Sequence, residues 1–237
     1  MDTFNFTAIG TITSCYKEKF GIPRQPNLVT SAQAELILNK SFAEESVRGL
    51  ESFSHIWISF IFHATQAQGW KPMVRPPRLG GNKKVGVFAS RSTFRPNPLG
   101  LSVVALKGID YRKSEVVLKL AGCDLMDGTP VLDVKPYLPY VDAISNTDAG
   151  FAQNSPEIKC IVEFSDTAKI ETRQAGERLG QNIELLIQQI LQLDPRPSYQ
   201  QGSQSEREYA MKLCDFDLKW KYVDDNKIIV LALFLAT

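Results

Sequence analysis

The stretch SHIWISFIFHA, residues 54 to 64, constrains the possible folds of this chain more than any other segment. It has the length of a strand and carries apolar side chains on both faces. That pattern is typical of a central strand, or of a barrel wall that is packed on both sides. Other strand-length runs flank it and no helical segments alternate with them, which argues against a doubly wound α/β sheet. The sequence therefore predicts a mainly β fold.

Apolar periodicity predicts further strands around this one, at residues 3–8, 32–38, 85–90, 101–107, 115–121, 131–135 and 158–164. A short helix is predicted over residues 41–50, where Ser41 and Glu44 have the spacing of a capping box. The strand at 158–164 is expected to close the first domain. These segments together predict a β-rich N-terminal domain that spans residues 1–165.

Residues 166–237 predict a small α+β domain. Apolar side chains recur at helical spacing over 179–191, so a single helix is expected over 167–192, ended by the Asp-Pro-Arg-Pro that follows. The apolar positions then change from odd to even numbers at 214–215, which predicts a β-bulge. A turn at 224–226 is expected to return the chain as a final strand.

Charged residues are segregated along the chain, although its net charge is only +1. Residues 52–109 contain eight Lys or Arg and no Asp or Glu, whereas residues 110–237 contain fourteen bases and twenty acids. So long a span without a carboxylate favours an anionic partner such as phosphate, nucleic acid or a carboxylate ligand. The alternative is a solvated basic loop whose acidic partners lie elsewhere in the fold.

Several kinds of site are excluded by the motifs that the sequence lacks. It has no GxGxxG or GxxxxGK[ST] phosphate loop and no GxSxG nucleophile elbow. The four cysteines are far apart and there are only two histidines, His55 and His63, so neither a disulfide scaffold nor a metal site is expected. No apolar run is long enough to span a bilayer and no signal peptide is recognised. A cytoplasmic protein without a membrane partner is therefore expected.

Four proline-rich loop segments remain as candidates for a functional site: residues 21–27, 71–82, 91–100 and 124–140. They contain ten of the thirteen prolines, and such rigidity preorganises a binding site. Arginines in these loops suit bidentate binding of carboxylate or phosphate. Simpler roles stay open, because Arg24 could pair with a surface acid, His63 could be a buried structural histidine, and Asp127 could serve only its turn.

Four stretches carry a family resemblance: PRQPNL, FSHIWISFIFH, RPPRLGGNKKVGVFASRSTFRPNPLGLSVV and DLMDGTPVLDVKPYLPY. They closely resemble the TrmO (YaeB-like) family of S-adenosylmethionine-dependent tRNA methyltransferases. The likeness runs from residue 4 to about residue 142, and continues more weakly through DPRPSY and the final hairpin. The joined motif of residues 75–104 is its most specific part.

This resemblance implies a single-sheet β-barrel N-terminal domain with a small C-terminal domain, assembled as a homodimer. It implies methyl transfer from S-adenosylmethionine to N6 of threonylcarbamoyl-modified adenosine, next to the anticodon of threonine tRNAs, and tRNA rather than DNA as the partner. Two alternatives stay open: an RNA-binding barrel without catalysis, and a small-molecule methyltransferase whose pocket suits another acid.

The resemblance also assigns a pocket for the methyl donor, lined by Pro23, Arg24, Gln25, His63, Ala64, Arg91, Leu101, Asp127, Gly128, Thr129 and Pro130. Arg24 or Arg91 can bind the donor's carboxylate as a fork. The turn at Gly128 and Thr129 can offer backbone groups to its adenine or ribose.

Five bases of the acid-free block are expected to contact tRNA: Arg75, Arg78, Lys83, Lys84 and Arg95. Arg95 or Arg75 is also expected to bind the carboxylate on the threonyl group of the substrate. Methyl transfer is an in-line displacement that depends on alignment more than on acid–base chemistry. No dedicated general base is expected, and no catalytic residue is assigned.

Overall fold

The computed structural model describes residues 2–42, 44–113, 115–196 and 207–236. Within these ranges the chain forms a closed six-stranded antiparallel barrel, followed by a four-stranded sheet with two helices. The expected fold class, a mainly β single-sheet barrel with a small α+β C-terminal domain, is confirmed. No helix in the described ranges is long and apolar enough to cross a membrane.

The described residues contain twelve strands: β1 (Gly10–Ser14), β2 (Gln33–Leu38), β3 (His55–Ile61), β4 (Met73–Val74), β5 (Val85–Gly86), β6 (Leu99–Arg112), β7 (Glu115–Ala121), β8 (Pro130–Pro136), β9 (Ile161–Phe164), β10 (Glu208–Leu213), β11 (Phe216–Asp224) and β12 (Lys227–Leu235). The α-helices in the same ranges are α1 (His63–Gln66), α2 (Pro139–Asp142), α3 (Asp166–Leu179) and α4 (Ile183–Gln192). The barrel order is β1-β2-β7-β6-β3-β8, and the second sheet has the order β10-β11-β12-β9. β4 and β5 form a separate two-stranded ladder.

β3 forms part of the barrel wall and alternates between two environments. Ile56 and Phe60 are buried in the barrel core, whereas His55 and Trp57 are half-buried on the outer surface. Phe60 pairs with Gly100 of β6, where an added Cβ would lie 2.2 Å from the aromatic ring. The apolar residues on one face of this stretch therefore pack in the barrel core, and those on the other face lie at an outer cleft.

Three local predictions for the N-terminal part are wrong. Residues 3–8 form no strand, and the first strand begins at Gly10. The helix predicted over 41–50 is replaced by two short 3₁₀ turns, because Gly49 adopts a left-handed φ of 87° between them. The strand predicted at 85–90 consists only of the two residues of β5, and another 3₁₀ turn follows. The other predicted barrel strands are confirmed.

α3 and α4 replace the single helix that was predicted over residues 167–192. The break lies at Gly180, whose φ of 64° is left-handed and ends α3. Asn182 then caps α4 by accepting a hydrogen bond from the backbone N–H of Leu185. The apolar stripe lies mainly on α4. The helical periodicity of residues 179–191 therefore indicated a helix correctly, but it did not indicate the break at Gly180.

The strand pairing corrects two predictions for the C-terminal part. Cys214 and Asp215 form the turn of a tight hairpin instead of a bulge, since Leu213 pairs with Phe216. A two-residue turn changes the numbering parity of the apolar positions just as a bulge does. β9 pairs in parallel with β12, so the strand that was expected to close the first domain lies in the C-terminal sheet. We propose that the domain boundary precedes β9 instead of following residue 165.

The connection between β1 and β2 joins the barrel to the C-terminal part. Tyr16 is buried in the same apolar core as Trp220. The side chain of Gln189 on α4 accepts hydrogen bonds from the backbone N and the Oγ of Ser31, at 3.0 and 2.7 Å. The loop that contains residues 23–25 is thus held at both ends by contacts with the C-terminal domain.

Candidate functional site

A cleft on the outer surface of the barrel is lined by residues from separate regions of the chain: Pro26, Asn27, His55, Trp57, Arg91, Leu101, Val103, Tyr137 and Asp142. It encloses about 440 Å³. The floor is set by strand pairing, because Trp57 of β3 lies opposite Val103 of β6. The β1–β2 connection closes one side, where the side chain of Asn27 donates a hydrogen bond to the backbone oxygen of Val103 at 3.1 Å.

Arg91 and Leu101, which the resemblance assigns to the methyl donor, both line this cleft, and Gln25, assigned to the same ligand, contacts Arg91. The guanidinium of Arg91 donates a hydrogen bond to the side-chain oxygen of Gln25, although the two residues are 66 positions apart. Leu101 is 55% exposed and lines the same cleft. Arg91 forms no ion pair with any acid in the described ranges. The cleft therefore presents a guanidinium that is free to bind an anionic group.

Asp124 is a candidate that the sequence analysis missed. Its Oδ1 accepts a hydrogen bond from the hydroxyl of Ser102 at 2.8 Å, and Ser102 is buried on β6 between two cleft residues. Burial raises the pKa of Asp124 to about 6, although the Ser102 hydrogen bond and the positive charge of Arg91 oppose the rise. Such a carboxylate beside an unpaired arginine is typical of a functional site. Its only sequence signal is its place at the start of DLMDGTP.

The turn formed by residues 127–130 lies against β1 and does not line the cleft. The carboxylate of Asp127 accepts a hydrogen bond from the backbone N–H of Ser14 and forms an ion pair with Lys17, both at 2.9 Å. The N–H groups of its first three residues all donate to main-chain carbonyls, those of Tyr16, Ile12 and Met126. These N–H groups are therefore occupied by bonds within the fold. The assignment of this turn to the donor stays a prediction.

His63 and Ala64 begin α1, directly after β3, and they do not line the cleft either. They adjoin the arginine-rich loop, because the backbone N–H of Phe62 donates to the oxygen of Pro98 at 2.7 Å. Their proposed contact with the donor stays a prediction.

Pro23 and Arg24 directly follow Ile22, which packs against the apolar core of the C-terminal part. Pro23 is buried. Burial lowers the pKa of Arg24, and the negative charge of Asp194 opposes this effect. Arg24 thus lies within electrostatic reach of an acid, as in the alternative of simple pairing, and its role toward the donor stays a prediction.

Arg95 helps to build the loop on which it lies. Its Nη1 donates to the backbone oxygen of Ser90 at 2.7 Å and to that of Val87 at 3.3 Å. The guanidinium also lies 5.7 Å from the centre of the Phe88 ring. One function of Arg95 is therefore to stabilise the loop that presents Arg91, and its expected contact with the substrate stays a prediction.

The basic block forms no ion pairs with the acids that the structure describes. Arg75, Arg78, Lys83 and Lys84 are exposed. Across the described ranges, none of the eight bases of residues 52–109 forms an ion pair. Arg78 donates a hydrogen bond only to a backbone oxygen, that of residue 154. This favours an external anion over the alternative in which acids elsewhere in the fold neutralise the block.

The cleft combines groups that can bind an anion, an apolar group and an aromatic ring. Arg91 offers a guanidinium without an ion pair among the described residues, while Pro26 and Leu101 offer apolar surface. Trp57 and Tyr137 add aromatic rings. The part of the chain that the structure describes holds no cluster of three His, Cys, Asp or Glu side chains that could bind a metal ion.

Comparison with known proteins agrees with the family resemblance seen in the sequence, and it covers most of the chain. Residues 11–143 match the model of the tRNA-methyltransferase O N-terminal domain, and residues 157–234 match that of the TrmO C-terminal domain. The chain is 49% identical over 226 residues to the tRNA (adenine(37)-N6)-methyltransferase of Escherichia coli K12, covering 94% of this chain and 95% of the relative.

Two further similarities agree with this match. A Pseudomonas aeruginosa protein that bears the provisional name S-adenosylmethionine-dependent methyltransferase is 45% identical over 230 residues, covering 97% of each chain. A crystal structure of TrmO from P. aeruginosa superposes with a TM-score of 0.83 at 39% identity, covering 100% of this chain and 99% of that one.

Proposed function

Because the chain belongs to the tRNA-methyltransferase O family, we propose that it transfers the methyl group of S-adenosylmethionine to N6 of adenosine 37 in tRNA. We further propose that the acceptor is the threonylcarbamoyl-modified adenosine of threonine tRNAs. The observation that carries the proposal is that Arg91 and Leu101 line one cleft and that Gln25, 66 positions from Arg91, accepts its hydrogen bond.

Each part of the cleft has a place in this reaction. S-Adenosylmethionine supplies an activated methyl group on a sulfonium, next to an amino-acid tail and an adenosine. Arg91, oriented by Gln25, binds the tail carboxylate through charge-assisted hydrogen bonds. Leu101 and Pro26 pack against the apolar part of the donor and exclude water from the methyl group. The protein thereby orients the donor for an in-line displacement.

The reaction itself is tested by incubating the protein with the donor and bulk tRNA and analysing the digested nucleosides by mass spectrometry. We expect threonylcarbamoyl-adenosine to gain one methyl group. If the protein binds tRNA but does not bind the donor and does not methylate the tRNA, it is an RNA-binding barrel without catalysis. Methylation of a small acid but not of tRNA would instead support the small-molecule alternative.

We expect replacement of Arg91 by alanine to weaken donor binding more than tenfold, or about 1.4 kcal/mol or more, since a charge-assisted hydrogen bond is lost. Titration calorimetry with S-adenosylmethionine measures the effect. Arg112→Ala is the matched control, because Arg112 is exposed, pairs with Glu35 and does not line the cleft. Equal donor affinity in the Arg91 variant and the wild type would remove Arg91 from the donor site.

Simultaneous replacement of Arg75 and Arg78 by glutamine should reduce the salt dependence of tRNA binding. Each lost phosphate contact lowers the slope of log K against log salt by about 0.7–0.9, so a decrease of roughly 1.5 is expected. The slope is measured by tRNA binding at several salt concentrations. A double Arg112→Gln, Lys119→Gln variant serves as control, since both charges already pair with acids. A slope like that of the wild type would exclude phosphate contacts at positions 75 and 78.

We also propose that the protein is a cytoplasmic homodimer. The supporting feature is a set of exposed apolar side chains next to the cleft: Leu99, Leu101, Tyr140, Val141 and Ile144. Exposed apolar side chains concentrated in one area often mark an interface. A second copy seated there would form one wall of the cleft at Leu101. Light scattering coupled to size exclusion should give the mass of two chains, and Val141→Glu should shift the protein to a monomer.

A further inference from the structure

One part of the cleft, formed by His55, Trp57 and Tyr137, contains none of the residues assigned to the methyl donor. The ring centres of Trp57 and Tyr137 lie 6.0 Å apart, and those of His55 and Tyr137 lie 6.4 Å apart. All three side chains are half-buried and line the cleft, so each keeps part of its surface open. Aromatic side chains are the usual stacking surfaces for an unpaired nucleobase. This end of the cleft is therefore suited to a base.

Asp142 lies at the same end, and its carboxylate is held in one orientation. Its Oδ2 accepts hydrogen bonds from the indole N–H of Trp57 at 2.9 Å and from the backbone N–H of Leu138 at 2.8 Å. Its Oδ1 accepts none from the residues that the structure describes. Among those residues, Asp142 is also the only acid that lines the cleft. Two donors on one oxygen fix the carboxylate and leave the other oxygen for a ligand.

The proposed acceptor needs a group that takes a proton. N6 of threonylcarbamoyl-adenosine is bonded both to the purine ring and to a carbonyl carbon, so its lone pair is delocalised. It attacks a methyl group well only when its N–H proton is removed or shared during the step. Alignment of donor and acceptor alone, as expected from the sequence, supplies no acceptor for this proton.

We infer that Trp57 and Tyr137 stack the acceptor adenine and that Oδ1 of Asp142 accepts its N6 proton. This inference rests on the proposed function. N6 forms its bond to the methyl carbon as the bond from carbon to sulfur breaks, and the electron pair stays on sulfur as a neutral thioether. The N6 proton passes to Asp142, which returns it to solvent after product release. Trp57 is in addition a positioning residue, because its N–H orients the carboxylate.

The decisive variant is Asp142→Asn, which keeps the shape and one acceptor oxygen but removes the basic carboxylate. The single-turnover rate at saturating donor and modified tRNA should fall roughly 10²–10⁴-fold, the range expected for general-base catalysis. Donor affinity by calorimetry should stay within about twofold of the wild type.

Two further variants separate catalysis from structure. Asp133→Asn is the matched control, because Asp133 pairs with Lys135 on β8, does not line the cleft, and should retain the wild-type rate. Trp57→Phe keeps an aromatic face but removes one hydrogen bond to Asp142. It should lower the rate about tenfold without raising the KM for tRNA. Trp57→Ala removes the stacking surface and should raise that KM.

Two results would overturn the inference: an Asp142→Asn rate close to that of the wild type, or a loss of donor affinity as large as the loss of rate. The last result would place this end of the cleft in the donor site. If the wild type itself leaves modified tRNA unmethylated, the proposed function fails instead. Stacking is then tested directly, since adenosine should quench Trp57 fluorescence in the wild type and the quench should disappear in Trp57→Phe.

Discussion

Replacement of Arg196 by alanine is expected to lower the free energy of unfolding at pH 7 by about 3–5 kcal/mol, because it removes the cation that pairs with a buried carboxylate. Arg196 and Asp194 form a buried bidentate pair with side chains only 3% exposed. The guanidinium also lies 3.5 Å from the centre of the Tyr222 ring, and the Tyr222 hydroxyl donates to Asp194 at 2.8 Å. Urea denaturation compared with the wild type measures the loss.

The charge state of Asp194 makes this loss depend on pH. Burial by itself raises the pKa of Asp194, but hydrogen bonds from Arg196 and Tyr222 outweigh it and hold the pKa below its ordinary value of 3.8. A carboxyl with a lowered pKa in the folded state contributes stability above the ordinary pKa and loses it as the pH falls further. The difference in the free energy of unfolding between the wild type and Arg196→Ala should therefore be largest at pH 7 and should decrease below about pH 4.

An exposed pair provides the control for this prediction. Arg178 makes a bidentate contact with Asp215 at 2.8 and 2.9 Å, but both side chains are about 40% exposed. Arg178→Ala should cost no more than about 1 kcal/mol, because water screens such pairs. Similar losses for Arg178 and Arg196 would mean that burial does not govern the strength of the Asp194 pair.

Asp124→Asn is expected to stabilise the fold at pH 8, by at most about 3 kcal/mol. Here the pKa is raised by burial to about 6, above the ordinary value of 3.8. The folded state binds more protons than the unfolded state between these two values, so stability falls as the pH rises through this window. Asparagine carries no charge and can still accept the hydrogen bond from Ser102, which removes the penalty.

The measurement is a pair of denaturation curves at pH 8 and pH 4. The variant should be more stable than the wild type at pH 8 and about equally stable at pH 4, where Asp124 of the folded wild type is already protonated. A difference of the same size at both pH values would show that the effect is not electrostatic. A carboxylate that costs stability at neutral pH and lies near Arg91 is better explained by the function of the site than by the scaffold.

The sequence predicted the fold class well because several patterns agree on it. Strand-length runs without alternating helices indicated a mainly β fold, and SHIWISFIFHA fitted either a central strand or a barrel wall; β3 forms a barrel wall. The prediction of single elements failed where one pattern has two solutions. The parity change at Cys214 and Asp215 suits a bulge or a two-residue turn, and the apolar stripe of residues 179–191 continues past the break at Gly180.

By itself the sequence determined the β-rich fold class, the acid-free basic block and, through its motifs, the family. Only the tertiary structure brought Trp57 and Asp142 together, 85 residues apart, and placed Asp124 beside the charge of Arg91. The physical reason is that periodicity and motifs report local preference and composition. The burial that raises a pKa and the hydrogen bonds that orient a carboxylate arise only when distant segments pack against each other.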